Sequence, residues 1–449
     1  MKRRKFISTA ITSTGVFSFL PTSDLFAGRQ RKLLWAGINF MQAAGDEKLT
    51  SIEKYFPNTY PILKNATKSA FLYNKLPGKW GAPVGRSKDY QLVWANNDNN
   101  LDIAKDTDLG IMLGISSDRD IAHRYYKKVN KDFLVYELQT YLTIFDIEKF
   151  EIIQSYPIRI WSYEAIVGRK STDSLQKLMW QTLGGGSAPK GTITIPTILQ
   201  QKLQEIDFTT QKTVNLRVTA VKSRKMTQDW VTGQRQKITD FEGILGNAMT
   251  TAVSEKFNIG IQPYAPGAAL TQLTLTFMGT SGERRKSSFV NKILNTGPID
   301  LEIRLLSRGI KINKTYEPGS KTVFTNRVSM MVEIQVGRWE RTYHGDQKLV
   351  VKDEKLKELI FKQKLTALSR EKTTGVYSND WYWILDLHKR LFDWFFHELK
   401  KGNSYPKMSS GQRDRFEARE FVIRVLTDDY PKFESEARAL RAALVTQPG

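Results

Sequence analysis

Asp118, Asp120 and His123 come nearest in this chain to a catalytic or metal-binding set by residue type and spacing. They follow the apolar run Leu109-Gly110-Ile111-Met112-Leu113-Gly114-Ile115, which reads as a buried strand. The end of such a strand is where α/β folds place metal or substrate ligands. Two carboxylates and an imidazole there would suit an exported hydrolase acting on wall or glycan substrates. The competing reading is a cap: Ser117 or Asp118 closes the first turn of a helix running toward Tyr126, and the other side chains are solvated. His344, His388 and His397 stand in no metal-ligand spacing with carboxylates, which argues against a zinc hydrolase.

Serine chemistry is no better supported. Ser51-Ile52-Glu53-Lys54 and Ser369-Arg370-Glu371-Lys372 both fit Ser-x-x-Lys, a pattern short enough to recur by chance. The penicillin-binding set also needs a separate Ser-x-Asn and Lys-Thr-Gly. Here Lys372-Thr373-Thr374-Gly375 overlaps the second serine motif, and Asn379 follows Ser378 directly. The chain has no Gly-x-Ser-x-Gly elbow, phosphate-cradling loop or dinucleotide fingerprint, so no cofactor is expected. With no cysteine, disulfides, thiolate metal sites, cysteine nucleophiles and a lipid-bearing amino-terminal cysteine are all excluded.

The elements that would position any site belong to a folded chain of 449 residues, 40% hydrophobic and 11% aromatic, long enough for two or three cores. Its first residues, Met1-Lys2-Arg3-Arg4-Lys5-Phe6-Ile7-Ser8, precede an uncharged stretch to Ser23 and the small residues Ala27 and Gly28. That is the layout of an export signal. Arg3-Arg4 with Phe6-Ile7 resembles the twin-arginine type, which implies a periplasmic or exported location. Lys2 and Leu25 depart from the pattern, and the alternative is an amphipathic helix or uncleaved anchor. The net charge is +22; residues 1–27 hold four basic residues and Asp24, so +19 falls on the remainder. Such an excess points to an anionic partner and leaves the fold open.

The pattern predicts an α+β or α/β fold, a mixed and mostly antiparallel sheet packed by helices, with a helical carboxy-terminal region. Strands are expected at Leu33 to Phe40, Leu109 to Ile115, Val214 to Val221, Ile259 to Gln262, Leu273 to Met278, Ile299 to Leu306 and Val323 to Gln335. A hairpin is expected over Phe133 to Ile160, turning at Asp146 to Lys149. Helices are expected near Asp46 to Tyr55, over Asp240 to Phe257, from Asp353 through Leu356, Ile360 and Leu368, over Asn379 to Lys401, near Gly411 to Val425, and over Pro431 to Leu444. Composition divides the chain into a signal at 1–27, an α/β region at 28–183, a Gly-rich linker at 184–190, a strand-rich region at 191–352 and a helical region at 353–449.

Three segments could touch an anionic partner or a membrane surface: the basic turn Arg284-Arg285-Lys286, the run Arg338-Trp339-Glu340-Arg341, and the aromatic helix carrying Trp381 and Trp394 beside Lys389, Arg390, Lys400 and Lys401. The bland reading of the helix is a core element, and of the other two, strand decoration. About a third of the chain, through the helix Phe241 to Phe257 and the strand Ile259 to Gln262, weakly resembles small α/β envelope assembly factors, namely the curli-secretion lipoprotein and the Tol amino-terminal domain. The resemblance implies a non-catalytic component assembling through strand edges or subunit rings, and carries no functional residue. The expectation is an exported, non-enzymatic binding or assembly component whose partner is an envelope protein or anionic envelope polymer. Peripheral membrane contact and a homo-oligomer fit this reading; a hydrolase or a nucleic-acid binder are the alternatives.

Overall fold

The computed structural model describes residues 31–43, 52–76, 78, 81–94, 109–149, 151–186, 193–206, 208, 216–264, 272–277, 293–296, 300–317, 321–336, 340–344, 348–352, 359–374, 380–402, 407–408, 421–426 and 429–445. The chain is α+β, with two mixed sheets, each with its own helices.

The first sheet takes β1 (Arg31–Ala43), β2 (Pro83–Val84), β3 (Tyr90–Trp94), β4 (Leu109–Tyr126), β5 (Lys131–Asp146), β6 (Glu151–Val167), β9 (Gln272–Phe277) and β10 (Ile293–Thr296), in the order β2-β3-β1-β4-β5-β6-β10-β9. β9 returns antiparallel to β1, from Asn39↔Phe277 to Ala43↔Leu273, so the strands from β1 to β9 close on themselves. The long meander β4-β5-β6 includes the expected hairpin and its turn. One face carries α1 (Ile52–Tyr55), α2 (Tyr60–Lys64), α3 (Ala66–Lys75), α4 (Thr172–Thr182) and α5 (Ile195–Glu205). Trp35, Leu113, Leu138 and Ile158 of the sheet share a core there with Ile62, Leu72, Met179 and Leu199 of α2 to α5.

Gly184 and Gly185 follow α4 where there is no room for side chains. A Cβ on Gly184, at φ +95°, would meet the Pro196 ring at 2.4 Å, and one on Gly185 would meet Trp180 at 2.0 Å. α4 and α5 pack into the same core; 187–190 of the expected linker lie outside the described residues.

The second sheet has the order β16-β17-β15-β12-β11-β7-β8, from β7 (Leu216–Ser223), β8 (Ile261–Gln262), β11 (Leu301–Glu317), β12 (Lys321–Val336), β15 (Leu359–Thr374), β16 (Lys407–Met408) and β17 (Phe421–Leu426). A separate ribbon pairs β13 (Glu340–His344) with β14 (Lys348–Lys352). α6 (Lys225–Gly233), α7 (Ile238–Phe257), α8 (Asp380–Lys401) and α9 (Tyr430–Val445) supply the other core, in which Leu245, Met249, Phe392, Phe395 and Phe433 meet Val218, Met330, Val332 and Leu365. The carboxy-terminal region thus carries its two helices among strands.

α7 lies between the sheets and is buried almost all round, as a central helix should be. Phe241, Leu245, Ala248, Met249, Ala252 and Val253, the face visible in the sequence, are buried, and so are Gly243, Gly246, Asn247, Thr250, Thr251 and Ser254. Its hydroxyls are satisfied locally: Thr250 donates to Gly246 O (2.8 Å), Thr251 to Asn247 O (2.9 Å) and Ser254 to Ile259 O (2.7 Å). Small residues therefore let the helix approach the first sheet with its buried hydroxyls bonded.

Three expectations are corrected. β4 does not end at Ile115 in a helix cap; it runs on to Tyr126, paired with β5 through bulges at Ile115/Ser117 and Asp120/Ala122. The segment with Ile360 and Leu368 is strand β15, whose buried Phe361, Gln363, Leu365 and Ala367 follow the two-residue period of a strand set between β12 and β17. Phe421 to Val425 belongs to β17, and 409–420 lie outside the described residues. The apolar run Ile195 to Leu199 lies in helix α5, with Pro196 in its first turn.

Candidate functional site

Asp118, Asp120 and His123 do not converge on a catalytic centre. Asp118 is buried, and its Oδ2 accepts the N–H groups of Asn58 (3.0 Å) and Thr59 (2.5 Å) and the Thr59 hydroxyl (2.7 Å). The Asn58 amide in turn donates to Asp118 O at 2.7 Å. Asp118 thus fastens the start of α2 to β4. Burial pushes its carboxyl up to about 7, against the opposing pull of the Thr59 and Asn58 hydrogen bonds and of Arg119.

Asp120 pairs with Lys170 at 2.5 Å, and His123, half exposed, faces Asp132 at 3.6 Å. Asp132 also accepts the Lys170 N–H at 2.9 Å. Each group ties down a neighbouring segment, and no cluster of three His, Asp or Glu able to hold a metal occurs among the described residues.

The aromatic helix belongs to the core. Trp381 is 6% exposed, stacks on Trp230 at 5.7 Å and packs against Phe241, which corrects its expected role as a partner contact. Trp394 is partly buried against the same core. Arg3, Arg4, Arg284, Arg285, Lys286, Arg338 and Trp339 lie outside the described residues; Arg341 falls on β13, with its side chain outside them.

A basic site that no local motif announced is assembled by topology. β12 alternates over its central span: Val328, Met330, Val332 and Ile334 face the core, while Thr325, Arg327, Met331 and Glu333 are partly exposed on the other face and Ser329 between them is buried. On that outer face Lys364 of β15 stands opposite Met331, and Lys311 of β11 opposite Arg327. Arg308 lies at the bulge between Ser307 and Gly309, and Arg224 precedes α6, its N–H bound to Ser307 O at 2.9 Å.

Burial first, then Arg308, Arg327 and Arg224, lower the pKa of the Lys364 ammonium. The charged groups that act on it most strongly are all cations. The carboxylates nearby are engaged elsewhere: Glu333 pairs with Lys362 (2.9 Å), and buried Glu302 takes Arg304, Thr219 and Gln335. A repulsive group of cations on an open sheet face is a place where an anion relieves strain in the free protein.

No protein-family model and no curated protein matches the chain. Among solved structures it is similar to a neuraminyllactose-binding hemagglutinin homolog from Helicobacter pylori, with 15% identity over 35% of this chain and 80% of that one, at a TM-score of 0.21. A likeness at that level gives no ground for assigning this chain a ligand.

Proposed function

We propose that this chain is an exported, non-enzymatic binding or assembly component of the bacterial envelope, and that it docks on an anionic envelope partner through the outer face of its second sheet. The observation that carries this reading is the gathering by strand order of Arg224, Arg308 and Arg327 around Lys364, whose charge is already disfavoured. Support for export comes from the amino-terminal pattern around Arg3 and Arg4. The hydrolase alternative loses its best candidates, because Asp118 and Asp120 hold segments together.

The test is sedimentation of the full chain with phosphatidylglycerol vesicles and with lipopolysaccharide at two salt concentrations, with phosphatidylcholine vesicles and duplex DNA as comparisons. Binding to the envelope anions should weaken with salt and fall at least about tenfold in Arg327→Glu/Lys364→Glu, since each surface cation contributes on the order of 1 kcal/mol. Equal binding by the variant, or retention of DNA alone, would overturn the reading. Cell fractionation of the wild type beside Arg3→Lys/Arg4→Lys tests export separately.

A further inference from the structure

β6 is paired with β5 from Lys131↔Val167 to Asp146↔Glu151, but on its other side β10 reaches only Glu151 and Ile152. Pro157 sits in this strand opposite Tyr141. Proline has no N–H to give, so in a strand its nitrogen lies on the side away from the ladder. In an antiparallel strand the N–H and C=O of one residue point to the same side, and the side alternates along the chain.

No register shift falls between Tyr156 and Val167. The main-chain groups of Arg159, Trp161, Tyr163 and Ala165 therefore face outward with the nitrogen of Pro157. Among the described residues none of them has a backbone partner on that side.

A cavity of about 600 Å³ runs along this edge. Arg159 lines it although its side chain is only 2% exposed, so what Arg159 presents is main chain. Its guanidinium is matched by Glu137 at 2.5 Å and lies 4.5 Å from the centre of the Trp161 ring. Glu164 of the strand, Glu255 of α7 and Asp393 of α8 also line the cavity, with Lys389 as the other lining cation, 4.0 Å from Asp393.

We infer that the open edge of β6 is a strand-addition site for an extended, lysine-bearing segment of a partner protein. The outward N–H and C=O groups supply hydrogen bonds that any sequence can make, and the surrounding side chains choose among sequences. The carboxylates favour cations at alternate positions of the incoming strand. Glu255 supports this: burial and Asp393 raise its pKa despite Lys202, Lys256 and Lys389, so an arriving ammonium would relieve a repulsion already present. The site is independent of the basic face on the second sheet.

The probe is a fluorescein-labelled peptide, acetyl-Thr-Lys-Val-Lys-Thr-Lys-Val-amide, with its glutamate counterpart as comparison, titrated against the full chain. The lysine peptide should bind and slow amide exchange at Trp161 and Tyr163. Tyr163→Pro removes an outward N–H and leaves the β5 ladder intact; Glu255→Lys/Asp393→Lys reverses the wall charge. Each should weaken binding at least about tenfold.

A melting curve establishes whether Tyr163→Pro is folded; if it is not, the charge reversal and the wild-type exchange data decide. The inference is overturned by no binding, by equal or better binding of the glutamate peptide, or by a smaller loss in either folded variant. It is also overturned if the bound peptide leaves the two amides unprotected. Protection of the same amides by concentration alone would make a second copy of this chain the occupant, and would likewise overturn the partner proposed.

Discussion

The first sheet is covered on both faces and gives its buried charges partners; the second turns one face outward and gathers Arg308, Arg327 and Lys364 there beside the Glu333–Lys362 pair. In the first, Glu137 meets Arg159 and Arg119 at 2.5 and 3.5 Å, and Asp118 takes three hydrogen bonds from Asn58 and Thr59. In the second, Lys364 stands within the field of Arg308, Arg327 and Arg224. The cost of an unpaired charge explains the contrast. Inside, removing one partner strands the other in a low dielectric; outside, water and salt absorb most of the repulsion. The first sheet therefore holds charges whose loss should unfold the protein, and the outer face of the second holds charges that can be spared for binding.

The largest expected effect breaks the first half of that comparison. Glu137→Ala leaves Arg159, 2% exposed, without its carboxylate and should cost about 3–5 kcal/mol in a denaturant melt. Asp118→Ala comes next, at about 1–3 kcal/mol, because it orphans two buried N–H groups and a hydroxyl. Asp118→Asn sharpens the point through pH. The fold raises this carboxyl from near 3.8 to about 7, so the native state holds a proton that the unfolded chain has already lost. Stability should be fullest below about pH 4 and should fall as pH rises to about 7; the asparagine variant should flatten that decline.

His388, in the other core, should show the opposite slope. It is fully buried, with Nδ1 2.7 Å from Ile384 O and its ring edge-on to Phe241. Burial lowers its pKa from 6.5 to about 4. Its contribution is therefore present above pH 6.5 and is lost as pH falls toward 4, and His388→Phe should remove that acid sensitivity, read as melting temperature against pH. The smallest effect belongs to the open face: Arg327→Gln or Lys364→Gln should change stability by no more than about 0.5 kcal/mol, toward greater stability at low salt. A loss of several kcal/mol there would erase the distinction between the sheets.

How far the sequence foretold this arrangement depended on whether the information was local. The apolar runs of β1 and β4 and the β5-β6 hairpin were legible because each is patterned over a few residues. β15 was misread because its spacing of Ile360 and Leu368 also fits helical periods, while the alternation Phe361, Gln363, Leu365, Ala367 includes a buried amide that resembles a surface residue. The polar side of α7 concealed its burial for a related reason, since glycine, serine and threonine there serve close approach. Asp118 reads in the sequence as a candidate ligand or a helix cap, because its hydrogen bonds reach back to residues 58 and 59, far away in the chain. The basic face could not be read at all: residues 224, 308, 327 and 364 meet only through strand order. Pro157 takes on meaning only once its strand is known to pair with β5.

The closure of the first sheet sets a timetable for synthesis. β1 gains its antiparallel neighbour only when β9 exists, with Ala43 paired to Leu273 across about half of the chain. At ribosomal speeds of about 5–20 residues per second, that interval lasts on the order of tens of seconds. Through it the stretch from Asn39 to Ala43 emerges early and waits, its edge bare, for a partner not yet translated. The nascent chain is thus most open to wrong pairing at the strand it makes first, and a truncation anywhere before Gln272 would make that exposure permanent.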